Sequence, residues 1–318
     1  MADTPRRNRG CPARRKRVER ALSVVAIDTS RPSRPAATGQ ISTWSLSLFR
    51  LRHWLSQSSP YLGFLGVAGL VLLWYLSTEF FNVPRFNKLP GPVSVWREFT
   101  SASPTFGISI YTPEYYMHIF WSIWRVLQAF FWATVLGVPL GLFMGWKRTF
   151  RDYTFPVLEI VRPIPVLAWV PVAILIFAGI ASREAPVIFL AFLATFFATV
   201  LNTMLGVESI DEVYFRAARC LGSKSRHIFF RVVLPGALPF IFTGLQIGVG
   251  VGWFSLVAAE MISGEYGLGF LIWDSYVLSQ FPVIIIAMLT LGVVGYAFSA
   301  IIRIIGSTLM RWTDRSAL

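Results

Sequence analysis

Charge is scarce in this chain of 318 residues: only 14% are Asp, Glu, Lys or Arg. A water-soluble domain carries about a quarter, so a soluble globular fold is excluded. Cysteine is nearly absent. Cys11 lies in a polar stretch and Cys220 in a charged one, which excludes a disulfide framework and a thiolate metal site. The three histidines, His53, His118 and His227, share no helical face and do not read as a ligand set. There is no Walker-type glycine loop, no zinc spacing and no Gly-x-Ser-x-Gly. The chain is therefore not expected to be an enzyme or to hold a metal or cofactor. Any chemical energy it uses must come from a partner.

What is abundant is apolar sequence. Hydrophobic residues make up 55% of the chain, and the mean hydropathy is +0.59. Runs at about 61–80, 119–146, 153–180, 186–207, 238–262 and 283–309 approach or exceed the ~20 residues that cross a bilayer as helix. The fold class this predicts is an all-α polytopic membrane protein with six transmembrane helices. The third run contains Pro156, Pro163, Pro165 and Pro171. Between the first two runs, Val-Ser-Val-Trp-Arg-Glu-Phe is amphipathic and predicts a surface segment, with Tyr111, Tyr115, Tyr116 and Trp121 as interfacial anchors.

The formal charge of +13 comes from 29 Lys and Arg against 16 Asp and Glu. In a membrane protein this signals basic cytoplasmic loops rather than nucleic-acid binding. Lys and Arg crowd the N-terminal region, the 147–151 loop, the 208–236 loop and the C-terminal end. The three opposite loops hold only Arg85, Lys88, Arg97 and Arg183. Both termini and the central loop are thus expected in the cytoplasm. Residues 1–58 combine an Arg-rich start with Ser, Pro, Ala and Thr, too little apolar content to pack a core. They read as a disordered basic cytoplasmic tail, ahead of a membrane domain at 59–318. A transit peptide and a contact with anionic lipid or nucleic acid are the other readings of that tail.

Residues 209–235 form the only long charged segment between apolar runs. Ser209 and Glu212 have the spacing of a capping box. Val213, Ala217, Cys220 and Leu221 fall on one helical face, and Glu212, Arg216 and Arg219 on another. Gly222 stands where a helix C-cap glycine belongs. A second helix from near Ser223 to Leu234 then leads through Pro235 and Pro239 into the next apolar run. Such a helix–turn–helix suits docking to a cytoplasmic partner.

Arg216-Ala217-Ala218, three residues, Gly222, nine residues, then Val232-x-Leu234-Pro235 resembles the "EAA" loop of binding-protein-dependent ABC importer permeases. The departures are Arg216 for Glu and Val232 for Ile. Val161-Arg162-Pro163-Ile164-Pro165-Val166-Leu167-Ala168-Trp169-Val170-Pro171 is similar to a signature of the permeases for nitrate, sulfonates, taurine and bicarbonate. So are Gly244-Leu245-Gln246, Ala258-Ala259-Glu260-Met261, Gly267 to Ile272, Leu89-Pro90-Gly91-Pro92 and Ser122-x-x-Arg125. The resemblance covers about 89–311. It implies the type I ABC importer permease fold and a permease subunit moving a small anion across the bacterial inner membrane. A second permease copy, usually an identical one making a homodimer, would complete the pathway. ATP and Mg would sit on separate ATPase subunits, and a periplasmic or lipid-anchored binding protein would deliver substrate. The ATPase-coupling residues it implies are Tyr214, Arg216, Ala217, Ala218, Gly222, Leu234 and Pro235.

Candidate pathway residues are Glu159, Arg162, Pro163, Pro165, Trp169 and Glu260. Arg162 reads either as the local ion-pair partner of Glu159 or as a bias toward anions. Glu260 either touches the binding protein or packs against a neighbouring helix. Arg125, near the end of its span, is expected to snorkel. The alternative function is a stand-alone secondary transporter or channel, for which intramembrane ionisable groups are few.

Overall fold

The computed structural model describes residues 58–80, 89–179, 184–263 and 265–310. The expected basic tail, apart from Ser58, lies outside these residues, as does the chain beyond Met310. Two units divide after Gly66. Of the first, residues 58–66 open helix α1 (Ser58–Tyr75), with Tyr61, Leu62 and Leu65 exposed. Everything below concerns the second unit.

The described residues are helical. Five helices are long and apolar enough to cross a membrane, and a sixth span is a bent pair. After α1 come α2 (Pro92–Thr100) and α3 (Pro113–Trp146). Next are α4 (Arg148–Val161) and α5 (Val170–Ile176), the latter preceded by a 3₁₀ turn at Val166–Trp169. Then follow α6 (Glu184–Glu208), α7 (Glu212–Cys220) and α8 (Ser225–Ile228). The last are α9 (Leu234–Ser263), α10 (Leu268–Val277) and α11 (Phe281–Leu309).

The structure departs from the sequence expectation in four places. Helix α3 begins six residues before 119, because Pro113 at its first turn presets φ and Glu114 favours the positive helix end. The third run is two helices meeting at 89°: Pro163 and Pro165 donate no backbone hydrogen bond, and Pro165 is extended at φ −55°, ψ 134°. The fifth span starts at Ser225, since a π-helical stretch at Phe229–Val233 joins α8 to α9. That wider winding precedes Pro235, which cannot donate to a carbonyl one turn back. Tyr115, expected as an interfacial anchor, is buried, its hydroxyl 2.7 Å from Thr290 Oγ1.

Helix α6 is the centre of the bundle, packed on by α3 and α9. Apolar surface gains little by leaving lipid for another helix, so association depends on close van der Waals approach and hydrogen bonds. Both neighbours supply it. On α3 the face toward α6 carries Gly137, Gly141 and Gly145, and on α9 it carries Gly244, Gly248 and Gly252. A Cβ added at Gly141 would lie 2.5 Å from Val200 O and 2.7 Å from Thr203 Cβ; one at Gly248 would lie 3.0 Å from Thr195 O. Thr195 uses this proximity: its hydroxyl donates to Ala191 O at 2.9 Å and to Gly248 O across the seam at 3.2 Å. Ser255 likewise donates to Leu190 O at 3.2 Å.

Gly141→Val is expected to destabilise the protein by about 1–3 kcal/mol or more, because backbone stands where the side chain must go. Gly292→Ala, with nothing within 4 Å of its added methyl, should hold or raise stability through helix propensity. Thermal melting of the two purified variants in one detergent checks the contrast.

Candidate functional site

The bundle has two polar ends, separated along α3 by about 30 Å of helix. One end carries α7. Asp211 caps it, its carboxylate accepting from Val213 N at 2.9 Å. Ser209 is not the cap: its hydroxyl donates to Gly206 O at 2.8 Å and closes α6. Glu212 therefore stands at the first helical position, where it pairs with Arg216 at 3.9 Å. Both are exposed, so the pair contributes little. The C-terminus of α7 is a Schellman motif, with Gly222 N donating to Arg219 O at 2.9 Å and Ser223 N to Ala218 O at 3.0 Å. Gly222 has φ +73°, as the expected C-cap glycine requires.

Only Phe215 and Ala218 of α7 are partly buried. Phe215 packs on Trp146 at the end of α3, ring centroids 5.9 Å apart, and Trp146 packs on Phe229 at the same separation. The rest of the helix faces outward, with Val213 55%, Tyr214 63% and Leu221 85% exposed. Tyr214, Arg216, Ala217 and Gly222 thus share one open surface with Cys220. Leu234 and Pro235 do not join it. They sit half-buried at the start of α9, where Leu234 packs on the main core.

The other end is closed by an ion cluster. Arg125 is 0% exposed, so it does not snorkel. Its Nε and Nη2 donate to Glu184, the latter at 2.8 Å. Its Nη1 donates to Glu260 at 2.7 Å and to Tyr266 O, and its guanidinium carbon lies 5.8 Å from the Trp121 ring centroid. Glu260 also accepts from Ser122 Oγ at 2.9 Å and from Gly269 N at 2.9 Å, and Ser122 Oγ accepts from Leu268 N at 2.8 Å. His118 Nδ1 lies 3.0 Å from Gly267 O and 3.1 Å from Gly267 N, so either tautomer satisfies one of them. One arginine therefore binds α3, α6, α9 and the 266–269 turn together. Of the two readings of Glu260, the structure has the packed one: it is 0% exposed, against neighbouring helices, and does not face an open pathway.

The remaining pathway candidates lie at the bend. Glu159, Arg162, Pro163 and Pro165 are exposed and Trp169 is partly buried. Glu159 and Arg162 form no ion pair, so the local-pair reading of Arg162 fails. Arg162 follows Leu158, which packs with Leu140, Met144, Val200 and Met204.

The sequence reading missed the cluster, although a signal existed. Arg125, Ala129, Ala133, Gly137, Gly141 and Gly145 recur every four residues on α3, as do Gly244, Gly248, Gly252, Leu256 and Glu260 on α9. A charged residue on a small-residue stripe faces a helix, not lipid.

Five apolar spanning helices, a bent pair and one exposed amphipathic helix at an end define a polytopic helical membrane protein. The chain belongs to the binding-protein-dependent transport system inner membrane component family, whose model matches residues 137–316. It is 34% identical over 250 residues to the nitrate import permease protein NrtB of Synechocystis sp., covering 76% of this chain and 86% of that one. It is also 34% identical over 243 residues to the taurine transport system permease protein TauC of Escherichia coli K12, with coverage of 76% and 86%. Among solved structures, the inward-facing MetNI methionine ABC transporter superposes with a TM-score of 0.51 at 19% identity, covering 64% of this chain and 99% of that one. That likeness bears out the type I importer permease fold.

Arg125→Gln should destabilise the protein by about 3–5 kcal/mol, because Glu260 is left buried without its cation. The triple variant Arg125→Met, Glu184→Gln, Glu260→Gln should recover much of the loss. Melting temperature and the yield of monodisperse protein measure both.

Proposed function

We propose that this permease works as a dimer, paired with itself, and that α7 docks in a groove on a cytoplasmic ATPase. ATP and Mg are bound there, not on this chain. α7 presents its apolar and charged side chains outward, and only Phe215 and Ala218 bind it to the bundle; this observation carries the reading. Basic residues gather around α7 and the 147–151 loop, which supports a cytoplasmic position for this end and for both termini. A binding protein then delivers substrate to the opposite, Arg125 end.

The substrate class is a small anion such as nitrate, a sulfonate or bicarbonate. Arg162 supports it physically. Arg162 is exposed at the break of a bent apolar span, and a charge within such a span faces a watery pathway or a partner. Pro163 and Pro165 beside it free backbone carbonyls, which are tolerated at that depth only where water or protein can meet them. In a dimer these groups line the passage between the two copies, and Arg162 attracts the anion from within the membrane.

Mass spectrometry of what co-purifies with the chain from its own membrane tests the assembly; a stoichiometric P-loop ATPase is the expected finding, and a bare homo-oligomer would remove it. Gly222→Val should abolish uptake while insertion persists. No atom lies within 4 Å of the added Cβ, so the effect is backbone strain of about 1–3 kcal/mol, relieved by reshaping the docking turn. Gly222→Asn, which tolerates that conformation, should retain most uptake. Arg162→Gln should lower uptake of labelled anion about tenfold, the equivalent of one weakened charge contact, while the ATPase still co-purifies.

A further inference from the structure

We infer that the Arg125–Glu184 pair is a releasable latch across the α3–α6 seam, whereas Arg125, Glu260 and the 266–269 turn move as one body. The two carboxylates differ in what holds them. Glu260 is wholly buried and accepts from Arg125, Ser122 and Gly269. Pulling it from Arg125 would strand a carboxylate out of water. Glu184 has Arg125 as its hydrogen-bond partner, and its side chain is 28% exposed. It opens α6, where the helix end favours negative charge without any cation. Once released, it is met by water. Arg125 keeps Glu260, Tyr266 O and the Trp121 ring.

Packing along the seam agrees with a hinge at the far end. There, Gly141 and Gly145 bring α3 against the α6 backbone at Val200 and Met204. Near the latch the two helices flank a cavity of about 310 Å³, lined by Gln128 and Trp132 of α3, Phe177, and Ala185, Ile188 and Phe189 of α6. The seam is tight at one end and hollow beside the ion pair. Releasing Glu184 loosens the cavity wall at Ala185 and Ile188, while Val187 and Leu190 on the opposite face of α6 stay in the main core.

The inference rests on the transport reading only for the use made of this opening. Its test needs neither substrate nor partner, so the two fail separately. Gln128→Cys, at the cavity, and Met117→Cys, beside the 266–269 turn, are made singly in the full chain. Each is labelled in native membranes with a water-soluble maleimide, and modification is read by peptide mass spectrometry, so that Cys220 does not interfere. Glu184→Gln should speed labelling at position 128 about tenfold, since a bidentate ion pair becomes a single bond from Arg125 to an uncharged amide oxygen, and leave position 117 unchanged. Glu184→Asp, which keeps the charge, should leave position 128 within about twofold of the parent. A parental rate at position 128 in Glu184→Gln overturns the latch. Equal acceleration at both positions also overturns it, because that is general loosening.

Discussion

Arg125 carries a full positive charge at a place with no water, and two carboxylates on two other helices compensate it. In a bilayer such a charge cannot be left alone, so α3, α6 and α9 must meet at this level. The 266–269 turn follows, because Tyr266 O, Leu268 N and Gly269 N complete the hydrogen bonds of the same cluster. The register of three helices and the path of one turn thus depend on a single guanidinium.

That ion cluster works only because the helices below it can come close. The glycines of α3 and α9 put backbone against α6 at four-residue intervals, the same interval that carries each helix up to Arg125 and Glu260. Small residues set the distance and the charges set the register. Either alone would be ambiguous: a glycine stripe can slide by one turn, and an ion pair can form between splayed helices.

The three helices also reach the opposite end. Trp146 of α3 packs on Phe215 of α7, α6 runs into the Asp211 cap, and α9 continues α8 through the π-helical stretch. The helices that Arg125 ties together are therefore the same ones that reach α7 and α8.

Much of this was legible in the chain alone. Low charge and long apolar runs determined a helical membrane protein, since only helices satisfy their backbone locally in lipid. The charged segment from 209 to 222 located the exposed helix α7, and Gly222 its turn, because a Schellman cap at φ +73° calls for glycine. Local signals of this kind need no partner. What only the tertiary structure decided were pairings between residues far apart in sequence: Arg125 with Glu184 and Glu260, Thr195 with Gly248, and the 89° bend that leaves Arg162 exposed without Glu159. Glu184 follows a short polar stretch and matches no periodic stripe, so nothing local marks it as the mate of Arg125. Long-range electrostatics in lipid are settled by which helices touch, and that is a property of the packed bundle.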